Sequence, residues 1–297
     1  MENIIECKNL THYYGERKVF ENFSFSIPKG KIIGLLGKNG VGKSTTINIL
    51  MGYIQPTSGE CLVYGEKSYE LTPKTKAKIG LLHEGHIQYD FMSIEELEEF
   101  HSAFFPKTWK KELYYNLVDK LKVPYSQTIK NLSCGQRSQV VLGLIFAQDA
   151  ELLILDDYSM GLDVGYRTLF IEYLKEYVVK YKKTVLITSH IMQDLEEIVD
   201  DVIILDKEQE ILHSNLKEFM NTFKKFTIYQ PSKKINEKDE VITNYEEFSK
   251  YTNIFSFKDE NTLINYLDKK EISYEKIESL PMDFEKAFMG YTGRYEW

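Results

Sequence analysis

Short runs of apolar residues, each bounded by polar or turn residues, recur along the first two thirds of the chain. Four runs are apolar almost throughout, which predicts strands buried on both faces, because a half-exposed strand would alternate apolar and polar positions. Between them lie segments with apolar residues at helical spacing, including residues 109–123 and 166–181. This alternation predicts an α/β fold with a mixed or parallel sheet and crossover helices. The predicted buried strands are residues 31–36, 152–155, 184–187 and 202–205.

Residues 6–64 are predicted to form short strands, paired antiparallel, around a central strand and helix. Turn signals separate these strands at Tyr14-Gly15, Pro28-Lys29-Gly30, Pro56-Thr57-Ser58-Gly59 and Tyr64-Gly65-Glu66. Residues 85–150 predict a helical subdomain, in which Ser93 caps the start of one helix. The sequence therefore predicts a strand-rich beginning that leads into a helical insertion.

The composition shifts toward Lys, Glu, Tyr and Phe after residue 215. We therefore predict a main domain over residues 1–215 and a small α+β accessory domain over residues 216–297. Within the accessory domain the pattern predicts strands over residues 225–229 and 254–257 and a helix over residues 260–270.

Charge and cysteine content restrict the class of protein. A formal net charge of −8 argues against a general nucleic-acid binder, which needs excess Lys and Arg to neutralise phosphates. Cys7, Cys61 and Cys134 are isolated from one another in the sequence and lack metal-ligand spacing, so we expect small buried thiols in a reducing compartment. The strongly apolar stretch over residues 140–147 is far shorter than the roughly 20 residues that span a bilayer. The N-terminus lacks the pattern of a signal peptide, so any membrane role is expected to come through a partner.

Residues 37–44 read Gly-Lys-Asn-Gly-Val-Gly-Lys-Ser directly after a predicted buried strand. This run fits the phosphate-loop pattern G-x-x-x-x-G-K-[ST], whose glycines let successive N–H groups converge on one anion at a helix N-terminus. Lys43 is expected to reach the β- and γ-phosphates, and the Ser44 hydroxyl to bind Mg²⁺. The alternative is a glycine-rich turn before a helix. The motif predicts that the chain binds a nucleoside triphosphate.

Further polar residues follow the later buried strands. Asp156 comes directly after residues 152–155, where a phosphate-loop enzyme needs a carboxylate to organise Mg²⁺. Thr188-Ser189-His190 closes the next strand, and Leu132-Ser133-Cys134-Gly135-Gln136 lies just upstream of Asp156. Alone, an Asp after apolar residues is weak support for a metal site, but here it accompanies a complete phosphate loop.

These motifs, in this order, resemble the ATP-binding subunits of ATP-binding-cassette (ABC) transporters over about residues 6–206. The resemblance makes residues 132–136 the family signature, typically L-S-G-G-Q, and residues 161–163 the loop after the Mg²⁺ carboxylate. It implies ATP and Mg²⁺ as ligands and a head-to-tail pair in which each phosphate loop faces the partner's signature. The implied ATP-binding residues are Tyr14 as the adenine-stacking residue, Gly37, Asn39, Gly40, Gly42, Lys43, Ser44 and Thr45, and, from the second copy, Ser133, Gly135, Gln136 and Asp163.

The resemblance also implies the catalytic residues. Asp157 stands where the family has a glutamate as general base, and its shorter side chain predicts slow hydrolysis. Glu84 occupies the position of a glutamine that senses Mg²⁺ and the γ-phosphate, and it joins Ser44 and Asp156 as an expected metal ligand; the alternative is a solvated loop acid. His190 is expected to contact the γ-phosphate. Cys134 replaces the first glycine of the signature, where it narrows the approach of the partner's phosphate and carries an oxidisable sulfur. It is either a tolerated variation or a site of regulation through the thiol.

Residues 79–84, 104–109 and 283–288 look like the branch of the family that exports drugs, antibiotics and peptides. The expected function is therefore a transport-coupled ATPase on the cytoplasmic face of the membrane, bound to separate transmembrane subunits. Residues 85–105, with His86, Tyr89, Phe91 and Met92, form either the docking groove for that subunit or the core of the helical subdomain. Two alternatives are a cassette that binds ATP for assembly or regulation with little turnover, and a soluble cassette acting on ribosomes or DNA. The accessory domain is expected to dimerise, to contact the membrane subunit, or to cap the sheet.

Overall fold

The computed structural model describes residues 2–83, 89–206 and 211–293. Residues 2–83, 89–206 and 211–213 belong to a first compact unit, and residues 214–293 to a second. Within these described ranges, every helix is too short or too polar to cross a bilayer.

The strands and helices alternate along most of the chain. The strands are β1 (Asn3–Tyr14), β2 (Arg17–Pro28), β3 (Ile32–Gly37), β4 (Ser58–Val63), β5 (Glu66–Lys67), β6 (Ile79–Leu82), β7 (Leu152–Leu155), β8 (Thr184–Ile187), β9 (Asp201–Leu205), β10 (Leu212–Asn215), β11 (Lys224–Tyr229), β12 (Asn244–Glu247), β13 (Tyr251–Ser256) and β14 (Lys276–Leu280). The helices are α1 (Lys43–Leu50), α2 (Pro73–Lys76), α3 (Ile94–Ser102), α4 (Lys111–Val118), α5 (Cys134–Gln148), α6 (Val164–Tyr181), α7 (Met192–Ile198), α8 (Leu216–Thr222), α9 (Glu260–Lys269) and α10 (Phe284–Thr292).

A six-stranded sheet in the order β10-β9-β3-β8-β7-β6 forms the centre of the first unit. β3 pairs in parallel with β8 and β9, and β7 pairs in parallel with β6 and β8. Every residue of β3, β7, β8 and β9 is buried, as their uninterrupted apolar runs predict. The α/β fold class is confirmed. Because β7, β8 and β3 are neighbours, their carboxyl ends bring three separate polar segments to one edge of the sheet.

A second, antiparallel sheet in the order β2-β1-β4-β5 packs into the same core, where Ile5 joins Ile33 and Leu186. β1 and β2 are each 12 residues long and continue through register shifts, so the prediction of short strands is wrong here. The predicted turn after Tyr14 is confirmed, with Gly15 at φ 61°. Pairing of β1 with β4 sets Cys7 directly opposite Cys61, so these two cysteines are not isolated in the fold.

The helical subdomain contains α3, α4 and α5. Ser93 caps α3 as predicted, since its hydroxyl accepts a hydrogen bond from the Glu96 N–H and the Glu96 carboxylate accepts one from the Ser93 N–H. The predicted helix over residues 109–123 is shorter in the structure: α4 ends at Val118, a 3₁₀ turn follows, and Lys122 lies at φ 54°. A left-handed residue ends a helix, and side-chain periodicity alone does not reveal it.

In the second unit, a four-stranded antiparallel sheet in the order β12-β13-β11-β14 packs its apolar face against α9. The core includes Phe226 and Ile228 on β11 and Leu263 and Leu267 on α9. The predicted strands over residues 225–229 and 254–257 and the helix over 260–270 correspond to β11, β13 and α9, with shifted ends for β13. β12, β14, α8 and α10 were not predicted. β12 and β14 are mixed polar strands at the sheet edges and carry no long apolar run.

Candidate active site

The loop between β3 and α1 has the backbone that the phosphate-loop motif predicts. Gly42 lies at φ 116°, and a Cβ there would sit 2.7 Å from Cγ1 of Val19. Glycine is therefore required at this position by both backbone conformation and space. Gly42 also caps α1 without any side-chain hydrogen bond, which leaves the first N–H groups of the helix available to an anion.

Lys43 folds back over the loop. Its Nζ donates hydrogen bonds to the carbonyl oxygens of Gly37 at 2.7 Å and Lys38 at 3.3 Å. The ammonium group is thereby held beside the loop N–H groups. Two features that attract phosphate, a cation and a helix N-terminus, therefore converge at one place.

A cleft of about 360 Å³ brings most of the predicted cofactor and catalytic residues together. It is lined by loop and helix residues from one side and by the ends of β7 and β8 from the other. The predicted residues that line it are Tyr14, Asn39, Gly40, Gly42, Lys43, Ser44, Thr45, Asp156, Asp157 and His190. Gly37 lies at the base of the same loop, where its carbonyl oxygen accepts a hydrogen bond from Lys43.

Tyr14 lies at the end of the β1–β2 hairpin with half of its surface exposed, and it lines the mouth of the cleft. The buried ring of His12 packs edge-on against it, with ring centroids 4.8 Å apart and an interplanar angle of 87°. Tyr14 is therefore a half-exposed cleft residue whose ring is supported by His12, which is compatible with stacking on a base.

Thr188 links the two acidic residues of the site. Its hydroxyl donates a hydrogen bond of 2.8 Å to Oδ1 of Asp156, and it accepts one of 2.8 Å from the backbone N–H of Asp157. This contact exists because β7 and β8 are adjacent, so residues that follow the two strands meet. The sequence places Thr188 beside His190 at the end of a buried strand, but this role of its hydroxyl was not predicted.

Asp157 lies beside His190, with Oδ2 of the carboxylate 3.6 Å from Nε2 of the imidazole. The Ser159 hydroxyl donates a hydrogen bond of 3.0 Å to the other carboxylate oxygen, Oδ1. The backbone of Asp157 is left-handed, with φ 44°, a conformation that is uncommon for a non-glycine residue and typical of functional sites. Asp157 and His190, two of the residues predicted to be catalytic, are therefore neighbours, and the carboxylate is oriented by Ser159.

A buried network beneath this loop was not predicted. Tyr158 is fully buried, stacks on Phe170, and donates a hydrogen bond of 2.7 Å to Oδ2 of Asp194. Nε of Arg167 lies 2.6 Å from the same oxygen. Burial raises the pKa of Tyr158, which keeps its hydroxyl protonated as a donor. These contacts attach the segment that carries Asp157 to α6 and α7.

The residues fit a Mg²⁺ ion bound together with a nucleotide. The Ser44 hydroxyl and the buried Asp156 carboxylate both line the cleft. In the part of the chain that the structure describes, no group of three or more His, Cys, Asp or Glu side chains is placed to hold a metal alone. Mg²⁺ sites that use one or two protein ligands are completed by phosphate oxygens and water, so this donor set suits an ion delivered with ATP.

Two predictions fall on other parts of the chain. Glu84 and His86 lie outside the described residues, so the role of Glu84 as a metal ligand stays a prediction. Phe91 is 74 % exposed and Phe104 is 64 % exposed, whereas Met92 packs against the helical core. Phe91 and Phe104 are therefore surface residues, and Met92 packs against the core of the helical subdomain.

The signature residues do not line the cleft of their own chain, as far as the described residues define it. Ser133 caps α5: its hydroxyl accepts a hydrogen bond from the N–H of Gln136, whose side chain in turn accepts one from the N–H of Ser133. Asp163 caps α6 by accepting a hydrogen bond of 3.0 Å from the N–H of Tyr166. Ser133, Gln136 and Asp163 thus each stabilise a helix N-terminus, in addition to any role toward a nucleotide.

Cys134 turns toward the loop that follows Asp157. Its Sγ lies 4.0 Å from the Met160 carbonyl oxygen, and a Cβ on Gly161 would approach that sulfur to 2.7 Å. The thiol is exposed but lies against a loop of the same chain. The signature segment and residues 160–161 are therefore in direct contact.

Gly135 is required by packing, and this leads to a first prediction. A Cβ at Gly135 would lie 2.1 Å from Cδ2 of Tyr166, so α5 cannot keep its place beside α6 if the residue is enlarged. Gly135→Ala is expected to lower the free energy of unfolding by about 1–3 kcal/mol, as measured by urea denaturation. Gly165→Ala is the matched control, because the nearest atom to its Cβ, Oδ1 of Asp163, lies 3.4 Å away. Equal stability of Gly135→Ala and the unchanged chain would contradict this packing.

Arg17 also lines the cleft and was not predicted. It pairs with Tyr14 across the hairpin, and its Nη2 lies 3.5 Å from the Cβ position of Gly40. Among the described residues it forms no ion pair with a carboxylate. A guanidinium beside a phosphate loop suits a phosphate oxygen. The sequence feature that could have indicated Arg17 is its basic side chain three positions after Tyr14.

Arg17→Gln is expected to weaken ATP binding by about threefold to tenfold, because an exposed charge pair contributes about 1 kcal/mol. Fluorescence titration with ATP, ADP and adenosine measures the effect, which is expected to grow with the number of phosphates. Lys18→Gln is the control, since Lys18 adjoins Arg17 but pairs with Glu21 at 3.6 Å. An equal loss for adenosine and ATP would show that Arg17 acts on the hairpin rather than on phosphate.

Comparison with known proteins identifies relatives among the ATP-binding proteins of ABC transporters. Residues 20–159 match the model of the ABC transporter family. A linearmycin resistance ATP-binding protein of Bacillus subtilis is 30 % identical over 216 residues, which cover 70 % of this chain and 68 % of that protein. A Nod factor export ATP-binding protein of Cupriavidus metallidurans is 28 % identical over 75 % of this chain and 74 % of that protein. An uncharacterized ABC transporter ATP-binding protein of B. subtilis is 27 % identical over 99 % of this chain and 97 % of that protein.

Solved structures share the fold. The structure of an ATP-binding subunit of an ABC transporter has a TM-score of 0.64 at 22 % identity and covers 73 % of this chain and 92 % of its own. A dimeric ATP-binding cassette in a post-hydrolysis state, bound to ADP and Pi, has a TM-score of 0.61 at 20 % identity, covering 71 % of this chain and 98 % of its own.

The sheet, the glycine loop and the paired acids at the strand ends define a phosphate-loop nucleoside triphosphatase. The chain belongs to the ATP-binding subunits of ABC transporters and is an ATPase of that class. The resemblance drawn from the motifs is confirmed.

Proposed function

We propose that this chain is the ATPase subunit of an exporter, in which two copies, or one copy and a paralogue, bind ATP·Mg²⁺ between them and drive separate transmembrane subunits. The main observation in support is that the predicted ATP-binding residues lie in two separate places on the chain. Lys43, Asp156 and Asp157 line one cleft, while Ser133 lies at the start of α5 and outside it. A second chain would bring its Ser133 to the open side of this cleft.

Each residue of the cleft has a defined task in this proposal. The loop N–H groups and Lys43 bind the phosphates, and Tyr14 stacks on the base. Ser44 and Asp156 hold Mg²⁺, which neutralises phosphate charge when it is bound. Asp157 accepts the proton of the attacking water, because its carboxylate lies at the end of β7 beside the phosphate loop.

Ser133 has the complementary task on the second copy. Its hydroxyl and the N–H groups at the start of α5 bind the γ-phosphate across the interface, where the helix dipole favours an anion. His190 binds the same phosphate from within its own chain. Loss of the γ-phosphate removes this bridge, so hydrolysis opens the pair and moves the membrane subunits.

The direction of transport rests on the named relatives, one a resistance protein and one an export protein. We assign docking of the transmembrane subunit to the exposed aromatic residues Tyr89, Phe91 and Phe104. The chain is then held at the cytoplasmic face of the membrane. An amphipathic compound, a drug or a peptide is the proposed class of cargo. The net charge of −8 favours this role over one on nucleic acid.

A second candidate function is a cassette that binds ATP for assembly with little turnover. The observation that favours it is Asp157, whose carboxylate is one methylene shorter than the usual glutamate. Phosphate release by the purified subunit together with its membrane partner distinguishes the two candidates. Co-purification with an integral membrane protein tests the transport role.

The paired site is tested with Asp157→Asn, which is expected to form a dimer in ATP·Mg²⁺, detected by light scattering after size exclusion. The second variant adds Ser133→Asp. Aspartate is as good an N-cap as serine, so α5 is retained, but its carboxylate repels a phosphate. This double variant is expected to stay monomeric. A dimer that forms equally well with Ser133→Asp, or no dimer with or without the membrane subunits, would refute the shared site.

A further inference from the structure

Cys7 and Cys61 form a pair that the nucleotide site does not use. Strands β1 and β4 run antiparallel, and the register places Cys7 directly opposite Cys61 although they are 54 positions apart. Their sulfur atoms lie 3.5 Å apart. The two thiols are therefore in contact in the folded chain.

The backbone already has a spacing that a disulfide accepts. Directly opposed residues of an antiparallel pair have Cα atoms about 4.5–5.5 Å apart, which lies within the range of about 4.4–6.8 Å found across disulfides. Only the side chains must move to bring the sulfurs from 3.5 Å to bonding distance, about 2.05 Å. The strands can keep their register.

Both cysteines are buried, Cys7 with 2 % and Cys61 with 3 % of its surface exposed, in the core that the two sheets share. The Cys7 thiol donates a hydrogen bond to the sulfur of Cys61. Burial raises the pKa of Cys7, whereas the hydrogen bond from Cys7 lowers the pKa of Cys61. The hydrogen bond from Cys7 therefore favours Cys61 as the thiolate of the pair.

Cys61 also lies near an edge of the sheet. Among the described residues, β5 pairs with Leu62 and Val63 of β4 alone, and the residue before them, Cys61, has β1 as its neighbouring strand. A small oxidant therefore needs to pass side chains rather than a further strand to reach the sulfur.

We propose that Cys7 and Cys61 are a redox modification site, at which a peroxide oxidises the two thiols to a disulfide that a thiol reductant cleaves. The Cys61 thiolate attacks one oxygen of hydrogen peroxide, the O–O bond breaks, and Cys61 sulfenic acid and hydroxide form. The sulfur of Cys7 then attacks the sulfenic sulfur, the S–O bond breaks, and the S–S bond forms. The two protons of the thiols and the two hydroxides leave as two molecules of water.

The cross-link would join β1 to β4 around the segment between them, which contains the phosphate loop and α1. Because the bond fits the native pairing, it restricts the unfolded chain more than it disturbs the folded one. The third cysteine, Cys134, is exposed and lies against residues 160–161, remote in sequence from both. It is the competing site of oxidation that an experiment must exclude.

The test uses the full chain with Cys134→Ser, so that only the two paired thiols remain, and the unchanged chain beside it. Each is treated with hydrogen peroxide, alkylated and digested without reductant, and the peptides are identified by mass spectrometry. We expect a linked peptide that joins Cys7 to Cys61, loss of both alkylation sites, and recovery of both after treatment with dithiothreitol. The midpoint of thermal unfolding is expected to rise by about 5 °C or more in the oxidised chain. Cys7→Ser is expected to yield no linked peptide.

Three results would overturn the proposal. The first is that Cys7 and Cys61 can still be alkylated after peroxide treatment. The second is that they are oxidised to sulfinic acid without a linked peptide. The third is that the cross-linked chain unfolds at a lower temperature than the reduced chain. The unchanged chain gives the same information by peptide mapping if Cys134→Ser does not fold.

Discussion

Asp157→Asn is expected to lower the rate of ATP hydrolysis by about a hundredfold or more, while ATP binding is retained. The amide keeps the size of the side chain and can still accept a hydrogen bond from Ser159, but it cannot take a proton from water. Asp157 lies beside His190 and follows Asp156, the proposed metal ligand, so the substitution would remove the proposed base without emptying the cleft. Release of inorganic phosphate in a single turnover measures the effect, and fluorescent nucleotide titration checks binding.

Asp157→Glu is the matched control, since it retains a carboxylate and moves it by one methylene. We expect Asp157→Glu to hydrolyse ATP much faster than Asp157→Asn. An Asp157→Asn variant that hydrolyses ATP at the original rate would mean that another group activates the water. Equal and severe losses in both variants, with unfolding, would mean that Asp157 acts through its left-handed backbone rather than through its carboxylate.

Lys43→Ala is expected to weaken ATP binding by about tenfold to a hundredfold, because a hydrogen bond to a charged group contributes about 1.5–3 kcal/mol. The variant also removes the hydrogen bonds from Nζ to the carbonyls of Gly37 and Lys38, so the loop loses its internal support. Equilibrium titration with ATP measures the loss, and phosphate release is expected to fall with it.

Adenosine binding separates the two effects of Lys43. Adenosine has no phosphate, and in the proposed site it is bound by stacking on Tyr14, so its affinity is expected to change little in Lys43→Ala. Lys18→Ala serves as a charge control, because Lys18 is an exposed hairpin residue that pairs with Glu21. If ATP binds Lys43→Ala as tightly as the unchanged chain, the ammonium group does not contact phosphate.

Local sequence was sufficient where a single segment carries the whole signal. The apolar runs of residues 152–155 and 184–187 gave β7 and β8 with the correct ends, because a strand buried on both faces must be apolar throughout. The phosphate loop was equally clear, since the positive φ of Gly40 and Gly42 demands glycine. Of the capping box, the sequence predicted Ser93 as the cap but not its partner Glu96, although both residues lie within one helical turn.

Contacts between distant segments were not visible in the same way. Nothing in the residues around Tyr158 indicates that its hydroxyl donates to Asp194, 36 positions later. Cys7 and Cys61 gave the opposite impression, since cysteines far apart in sequence suggest isolation, and only the pairing of β1 with β4 sets them together. Gly135 was attributed to nucleotide binding, whereas the structure adds the ring of Tyr166 against it.

The sequence by itself determined the chemistry of this protein: the phosphate loop, the acids that follow buried strands, and the family to which the chain belongs. These features are local, because a backbone that binds phosphate needs particular residues at consecutive positions. Tertiary structure alone decided which side chains orient the acids, where Thr188 and Arg17 lie, and which cysteines meet. Those contacts depend on the order and register of the strands, which is set by the packing of the whole sheet and leaves no mark on any single segment.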